Sequence, residues 1–188
     1  MSQFEFVSVG LALVYSFAIA RLLAALPFAL ARDKRYWIHL IWFGVTILAL
    51  VVTWWNVWLY RNVAWNPIRF VWALSIPSLI YLRAGALVSQ SPATVASWRD
   101  HYFRSRIAFF TIGLAIAVNG VLLPWIMGLV RWFTPSPPWL AMPLLLFLLY
   151  VIGLATDRPR VHAGLGVVNL LALIGGLLAA TFLGDGAA

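Results

Sequence analysis

Residues 37–60, WIHLIWFGVTILALVVTWWNVWLY, decide the fold. The charged segment RDKR at 32–35 lies before them, and Arg61 follows directly after them. This run of 24 residues contains no Asp, Glu, Lys or Arg. As an α-helix it would be about 36 Å long, enough to cross a hydrocarbon core of roughly 30 Å. Tryptophans lie near both of its ends, where amphipathic rings prefer the lipid headgroups. The stretch therefore predicts a membrane-spanning helix.

The whole chain has the composition of a polytopic membrane protein, because 64% of its 188 residues are hydrophobic and only 10% are charged. Open sheets and loops cannot satisfy their backbone groups in lipid, so apolar runs of this length predict helices. We expect an all-α bundle of six transmembrane helices with short loops, forming one domain over residues 1–188. The predicted spans are Phe4 to Ala25 or Leu30, Trp37–Tyr60, Ile68–Val88, Ile107–Val130, Trp139–Ala155 and Val161–Leu183.

Basic residues alternate between rich and poor loops along the chain. The loops after spans 1, 3 and 5 hold eight: Arg32, Lys34, Arg35, Arg99, Arg104, Arg106, Arg158 and Arg160. The loops after spans 2 and 4 hold three: Arg61, Arg69 and Arg131. The positive-inside rule then predicts a multi-pass protein of the bacterial inner membrane with both termini outside the cytoplasm. Basic residues placed between apolar runs suit contact with anionic lipids, and we expect no nucleic-acid partner.

The longest predicted loop, Ser89–Ser105, contains a helix-start pattern at Ser91 and Pro92. Val95, Trp98 and Tyr102 would share one face of a helix there. Two interpretations stay open: a short helix lying on the membrane surface, or a polar connector without regular structure.

Polar side chains within the spans are the main functional candidates, because each needs a partner or water once it leaves the aqueous phase. They form stripes on spans 2 and 6, with one further amide in span 4: His39, Thr46, Thr53, Asn56, His162, Asn169 and Asn119. The stripes could line a water path between facing helices. Alternatively, they are dry helix contacts in which threonine bonds its own backbone, and this interpretation requires fewer assumptions.

Two arginines lie within spans, near the ends predicted to be cytoplasmic: Arg21 in span 1 and Arg83 in span 3. Their long side chains could extend to the headgroups. If they turn inward instead, they would form a positive site for an anion or a lipid phosphate.

Several chemistries are excluded by what the sequence lacks. The chain has no cysteine, which rules out thiolate zinc sites, iron–sulfur clusters and disulfides. No acidic residue lies deep in a span, and no motif of a known catalytic site occurs, so we expect neither an enzyme nor a metal centre. We predict no cofactor; a minor alternative is a haem held by His39 and His162 if their helices pack together.

Small residues recur every fourth position in span 6 at Ala172, Gly176 and Ala180, and leave a shallow groove suited to a second helix. That helix could belong to the same chain, to a second copy or to a membrane partner protein. The sequence thus favours a small non-enzymatic membrane subunit, either oligomerising or accessory. One alternative is an oligomeric ion channel or a transporter of small solutes or anions, and another is a lipid- or haem-binding membrane protein.

Overall fold

The computed structural model describes residues 2–129 and 140–183, with side chains described as far as residue 178. These residues form α-helices and no strand, so the predicted all-α fold is confirmed for this part of the chain. The helices are α1 (Gln3–Leu30), α2 (Trp37–Asn56), α3 (Pro67–Leu87), α4 (Trp98–Ile126), α5 (Ala141–Ala155) and α6 (Pro159–Leu183), with short 3-10 turns at Val57–Tyr60 and Pro92–Thr94.

Polar side chains at the N-cap position fix where several of the helices begin. Ser2 and Glu5 form a reciprocal capping box, in which each side chain accepts a hydrogen bond from the other residue's backbone N–H. Asn66 caps α3 directly before Pro67, the residue type best suited to a first helical position. The 3-10 turn after α2 extends the helical segment to Tyr60, which matches the predicted second span.

The six helices pack as a ring in the order α1, α3, α4, α5, α6 and α2, with α2 also contacting α3 and α4 across the interior. Contacts across the bundle bring the connections at residues 31–36, 88–97 and 156–158 to one end. There the indole N–H of Trp98 donates to the carbonyl of Phe28 over 2.9 Å, and Tyr102 hydrogen-bonds His162. We call this end, which carries the eight basic residues named above, the basic end.

Within the described part of the chain, five segments are long and apolar enough to cross a membrane: Gln3–Leu30, Trp37–Tyr60, Pro67–Thr94, Trp98–Ile126 and Pro159–Leu178. Large apolar side chains cover the outward faces of the helices, including Phe17, Trp55 and Val71, each more than 60% exposed. An outer surface covered by large apolar side chains on long apolar helices indicates a multi-pass membrane protein. Helix α5 has 15 residues, about 22 Å, and is shorter than a typical span. Its predicted start at Trp139 lies outside the described residues.

The start of α4 corrects the sequence prediction. We expected span 4 to begin at Ile107 after a surface helix or a polar connector, but α4 begins at Trp98, capped by the Ser97 hydroxyl. Trp98 and Tyr102 are fully buried in the bundle instead of lying on the membrane surface. The helix can continue into the polar layer because the charged residues of its first turns, such as Arg99 and Arg104, lie on its exposed side.

Candidate functional site

The most unusual group in the bundle is Arg83, which lies near the end of α3 and is only 2% exposed. Its guanidinium carbon lies 4.3 Å from the centre of the Phe109 ring, 4.8 Å from that of Tyr150 and 5.7 Å from that of Trp42. These rings come from α4, α5 and α2, respectively. The side chain therefore turns into the bundle and does not extend to the headgroups. We call Arg83 and its three rings the aromatic cage.

The rings compensate the charge of Arg83 but not all of its hydrogen-bond donors. A desolvated cation–π contact contributes about 2 kcal/mol, so three rings offset much of a burial penalty of several kcal/mol. Ring faces do not, however, accept the N–H groups that point outward in the guanidinium plane. Nη1 donates to the Tyr150 hydroxyl over 2.9 Å, whereas Nε and Nη2 have no acceptor among the described residues. The cage thus holds a positive charge with free donors.

Asn169 of α6 completes the polar group beside the cage. Its side-chain nitrogen donates to the Tyr150 hydroxyl over 3.1 Å, and its amide oxygen has no partner in the described part of the chain. Together, a guanidinium, an amide and a phenol contain more N–H and O–H donors than acceptor lone pairs. Within the described residues, this buried cluster therefore has both a net positive charge and an excess of donors.

Two histidines meet one backbone carbonyl at the basic end. The Nε2 atoms of His39 and His101 lie 2.9 and 3.1 Å from the carbonyl oxygen of Leu87 and donate to it. The His39 ring is fully buried and stacks on Trp98, with 4.7 Å between ring centres. This arrangement ties α2 and α4 to the end of α3, and it gives His39 a packing role.

His162 is also fully buried and uses both ring nitrogens. Nδ1 lies 2.9 Å from the Tyr102 hydroxyl, and Nε2 lies 2.8 Å from the carbonyl oxygen of Thr156. This geometry fits a neutral ring with its hydrogen on Nε2, and it leaves neither nitrogen free for a haem iron. No group of three or more His, Asp or Glu side chains that could hold a metal occurs within residues 2–129 and 140–178.

The other arginine within a span, Arg21, lies on the opposite side of α3 from Arg83. It is half-buried, its guanidinium carbon lies 5.3 Å from the centre of the Tyr81 ring, and a Cβ placed on Gly85 would come within 2.7 Å of its Nη1. Residues 81 and 85 share a face of α3 that residue 83 does not share. The structure therefore keeps the two arginines apart, and Arg21 fills the seam between α1 and α3.

The remaining polar candidates are distributed along the bundle. Thr46 and Thr53 donate to carbonyls of their own helix, at Trp42 and Ala49, over 2.8 and 2.7 Å. Asn119 is buried and donates to the Ser75 hydroxyl, which joins α4 to α3. These threonines and this amide are used in packing.

A cavity of about 270 Å³ lies in the half of the bundle away from the basic end, and all six helices contribute to its wall. Thr53 and the exposed Asn56 lie beside it, whereas most of the wall is apolar. Leu146 and Leu173, also in its wall, precede Tyr150 and follow Asn169 by one helical turn. The cavity therefore approaches the cage to within about 6 Å along these helices.

The small residues of α6 serve two different purposes. Gly166 is buried against α2, where an added Cβ would lie 2.7 Å from the Ile41 side chain. Ala172 is half-buried and Gly176 exposed, and among the described atoms beyond its own helix backbone a Cβ on Gly176 would meet Met142 of α5, at 3.3 Å. The side chain of Ala180 lies outside the described part.

Sequence reasoning missed the aromatic partners of the arginine. Trp42, Phe109 and Tyr150 looked like ordinary core residues, because apolar rings are expected in any span. One signal was present: Tyr150 is the only residue of α5 with a hydrogen-bonding side chain. An isolated hydroxyl in such a helix indicates a buried polar partner.

Comparison with protein-family models, curated proteins and solved structures finds no match for this chain.

Proposed function

We propose that this protein is a non-enzymatic, six-span inner-membrane subunit that works by packing against a second copy of itself or a membrane partner. The single observation that carries the proposal is an exposed stripe on α6, formed by Gly164, Val168, Leu171, Gly175 and Leu178. These residues recur at spacings of three or four and so share one face of the helix. No atom of the described chain, the helix's own backbone aside, lies within 4 Å of a Cβ placed on Gly164 or Gly175.

Glycines on a lipid-facing surface suit close approach by another helix. In lipid, burying apolar side chains gives little gain, so helices associate through close backbone contact and dispersion. The predicted small-residue positions Ala172 and Gly176 lie on a neighbouring face of α6, where the end of the Met142 side chain is beside Gly176.

Three of the polar residues of α2 and α6 support the same proposal, because their hydrogen bonds stay inside the bundle. Thr46 bonds its own helix, His39 bonds Leu87, and His162 bonds Tyr102 and Thr156. A subunit that acts by packing requires no reactive group or continuous water path at these positions.

Gly175→Leu tests the proposal, since a Cβ at this position meets no described atom beyond the helix's own backbone and a bulky side chain there would occupy the stripe. We expect the oligomer to dissociate while the monomer stays folded, as measured by native mass spectrometry and crosslinking in detergent. Val71→Leu is the matched control, because it enlarges an outward-facing residue on α3 and should leave assembly unchanged. A wild type that is monomeric throughout, or an unchanged oligomer with Gly175→Leu, would overturn the proposal.

The cavity favours a second candidate, an oligomeric channel or a transporter for small solutes or anions. It is lined by all six helices and reaches the exposed Asn56 and Leu59. On this proposal Ala117→Phe, which fills the cavity from α4, abolishes solute flux in reconstituted vesicles under ion substitution. Flux that is absent in wild type would exclude this candidate.

A further inference from the structure

We propose that the aromatic cage binds a small monovalent anion of about halide size at the Nε–Nη2 edge of Arg83. This site is independent of assembly through α6. The juxtaposition that supports it is an Arg83 side chain that is 98% buried, two guanidinium nitrogens with no acceptor among the described residues, and the hydrogen-bonded pair Tyr150 and Asn169 beside it.

The rings offset part of the burial cost of Arg83, but they supply no negative charge to balance the guanidinium. A guanidinium stays protonated in proteins, so Arg83 cannot escape its burial by losing a proton. The acidic residues of the chain are Glu5, Asp33, Asp100, Asp157 and Asp185, which lie at helix ends or loops or near the C-terminus. None of the described acidic side chains contacts Arg83. A bound anion would supply the missing negative charge.

The geometry of the free donors selects the class of ligand. Nε and Nη2 form one edge of the planar guanidinium, with their hydrogens pointing in the same direction. Rings cover Arg83 and Nη1 is already used by Tyr150, so this edge is the part left for a ligand. A compact anion can accept both hydrogens together, whereas a bulky organic anion would have to displace the surrounding core.

The 270 Å³ cavity in the half of the bundle away from the basic end is the approach that we propose to this site. Its wall reaches Leu146 and Leu173, about one helical turn from Tyr150 and Asn169. On this proposal an anion in the cavity reaches the cage by passing the side chains that separate the cavity wall from Tyr150 and Asn169.

The test compares purified protein in sodium chloride and in sodium gluconate at equal ionic strength, with the thermal unfolding midpoint measured by circular dichroism. A ligand that binds only the folded state raises the midpoint with its concentration. We expect wild type to unfold several degrees higher in chloride, and Arg83→Gln to show no difference between the two salts. Arg21→Gln is the matched control: it removes a half-buried arginine from another seam and should keep the chloride effect.

A second measurement needs no variant. Crystals grown in sodium bromide should show an anomalous peak within hydrogen-bonding distance of Nε and Nη2 of Arg83. Equal wild-type midpoints in both salts, an undiminished chloride effect in Arg83→Gln, or a bromide map without this peak would each overturn the proposal. The bromide map decides the matter if Arg83→Gln does not fold.

Discussion

The seam between α2 and α6 makes Gly166→Ala a sharp test of how closely these helices pack. The added Cβ would lie 2.7 Å from Cγ2 of Ile41 and 3.4 Å from the Trp42 indole. The first distance is about 0.7 Å short of ordinary contact. Ile41 is β-branched and its Cγ2 lies close to the backbone, so it can yield only through an unfavourable rotamer or movement of the helix.

The expected loss follows from two opposing terms. Forcing an extra carbon into a packed interface costs about 1–3 kcal/mol, whereas replacing glycine by alanine in a helix gains up to about 1 kcal/mol. The net loss is up to about 2 kcal/mol, which lowers the unfolding midpoint of a chain of this size by up to about 8 °C. Thermal unfolding in detergent, followed by circular dichroism, measures this change.

Gly44→Ala provides the matched control on the facing helix α2, outside the exposed stripe of α6. The described chain has no atom, apart from the helix's own backbone, within 4 Å of a Cβ at that position, so the helix-propensity gain acts alone. We expect its midpoint to rise by about 2–4 °C. If both variants shift the midpoint equally and in the same direction, the seam between α2 and α6 has room for the added methyl group and the helices do not pack this closely.

Two further predictions concern the cage and the orientation of the bundle. Tyr150→Phe should lower the free energy of unfolding by about 1–3 kcal/mol, because Arg83 and Asn169 lose the hydroxyl that accepts a hydrogen bond from both. Tyr81→Phe on the exposed face of α3 is the control and should change it little. Equal losses in a thermal or denaturant titration would refute the role of the Tyr150 hydroxyl in the aromatic cage. A cysteine replacing the exposed Ala96 should be shielded from an impermeant thiol reagent added outside, and one replacing Asn62 should be labelled; the reverse pattern would invert the orientation.

Local sequence properties predicted the helices well, because the length of an apolar run and its flanking charges depend on neighbours in the chain. Residues 37–60 are helical as expected, and α3 and α6 begin within two residues of their predicted starts. The start of α4 was wrong by nine residues. Charged residues lower the mean hydropathy of this stretch, although the opposite face of the same helical turns is buried. They are Arg99, Asp100, Arg104 and Arg106.

The candidate site was only partly accessible from sequence. Arg83 was recognisable as an expensive residue within a span, but either direction of its side chain was compatible with its position in α3. Its partners Trp42, Phe109 and Tyr150 belong to three other helices. These side chains come together only because of the order in which the helices pack around the bundle, and no local sequence pattern encodes that order.

The sequence by itself determined that this chain consists of apolar helices and which connections carry the basic charge. Both properties can be read from consecutive residues, without knowing which helices are neighbours. Only the tertiary structure decided which helical faces meet. Gly164 and Gly166 are two residues apart on one helix, yet the first is exposed and the second is enclosed by α2. The difference arises because the environment of a residue is set by what the neighbouring helix presents to it, and that depends on packing between segments far apart in sequence.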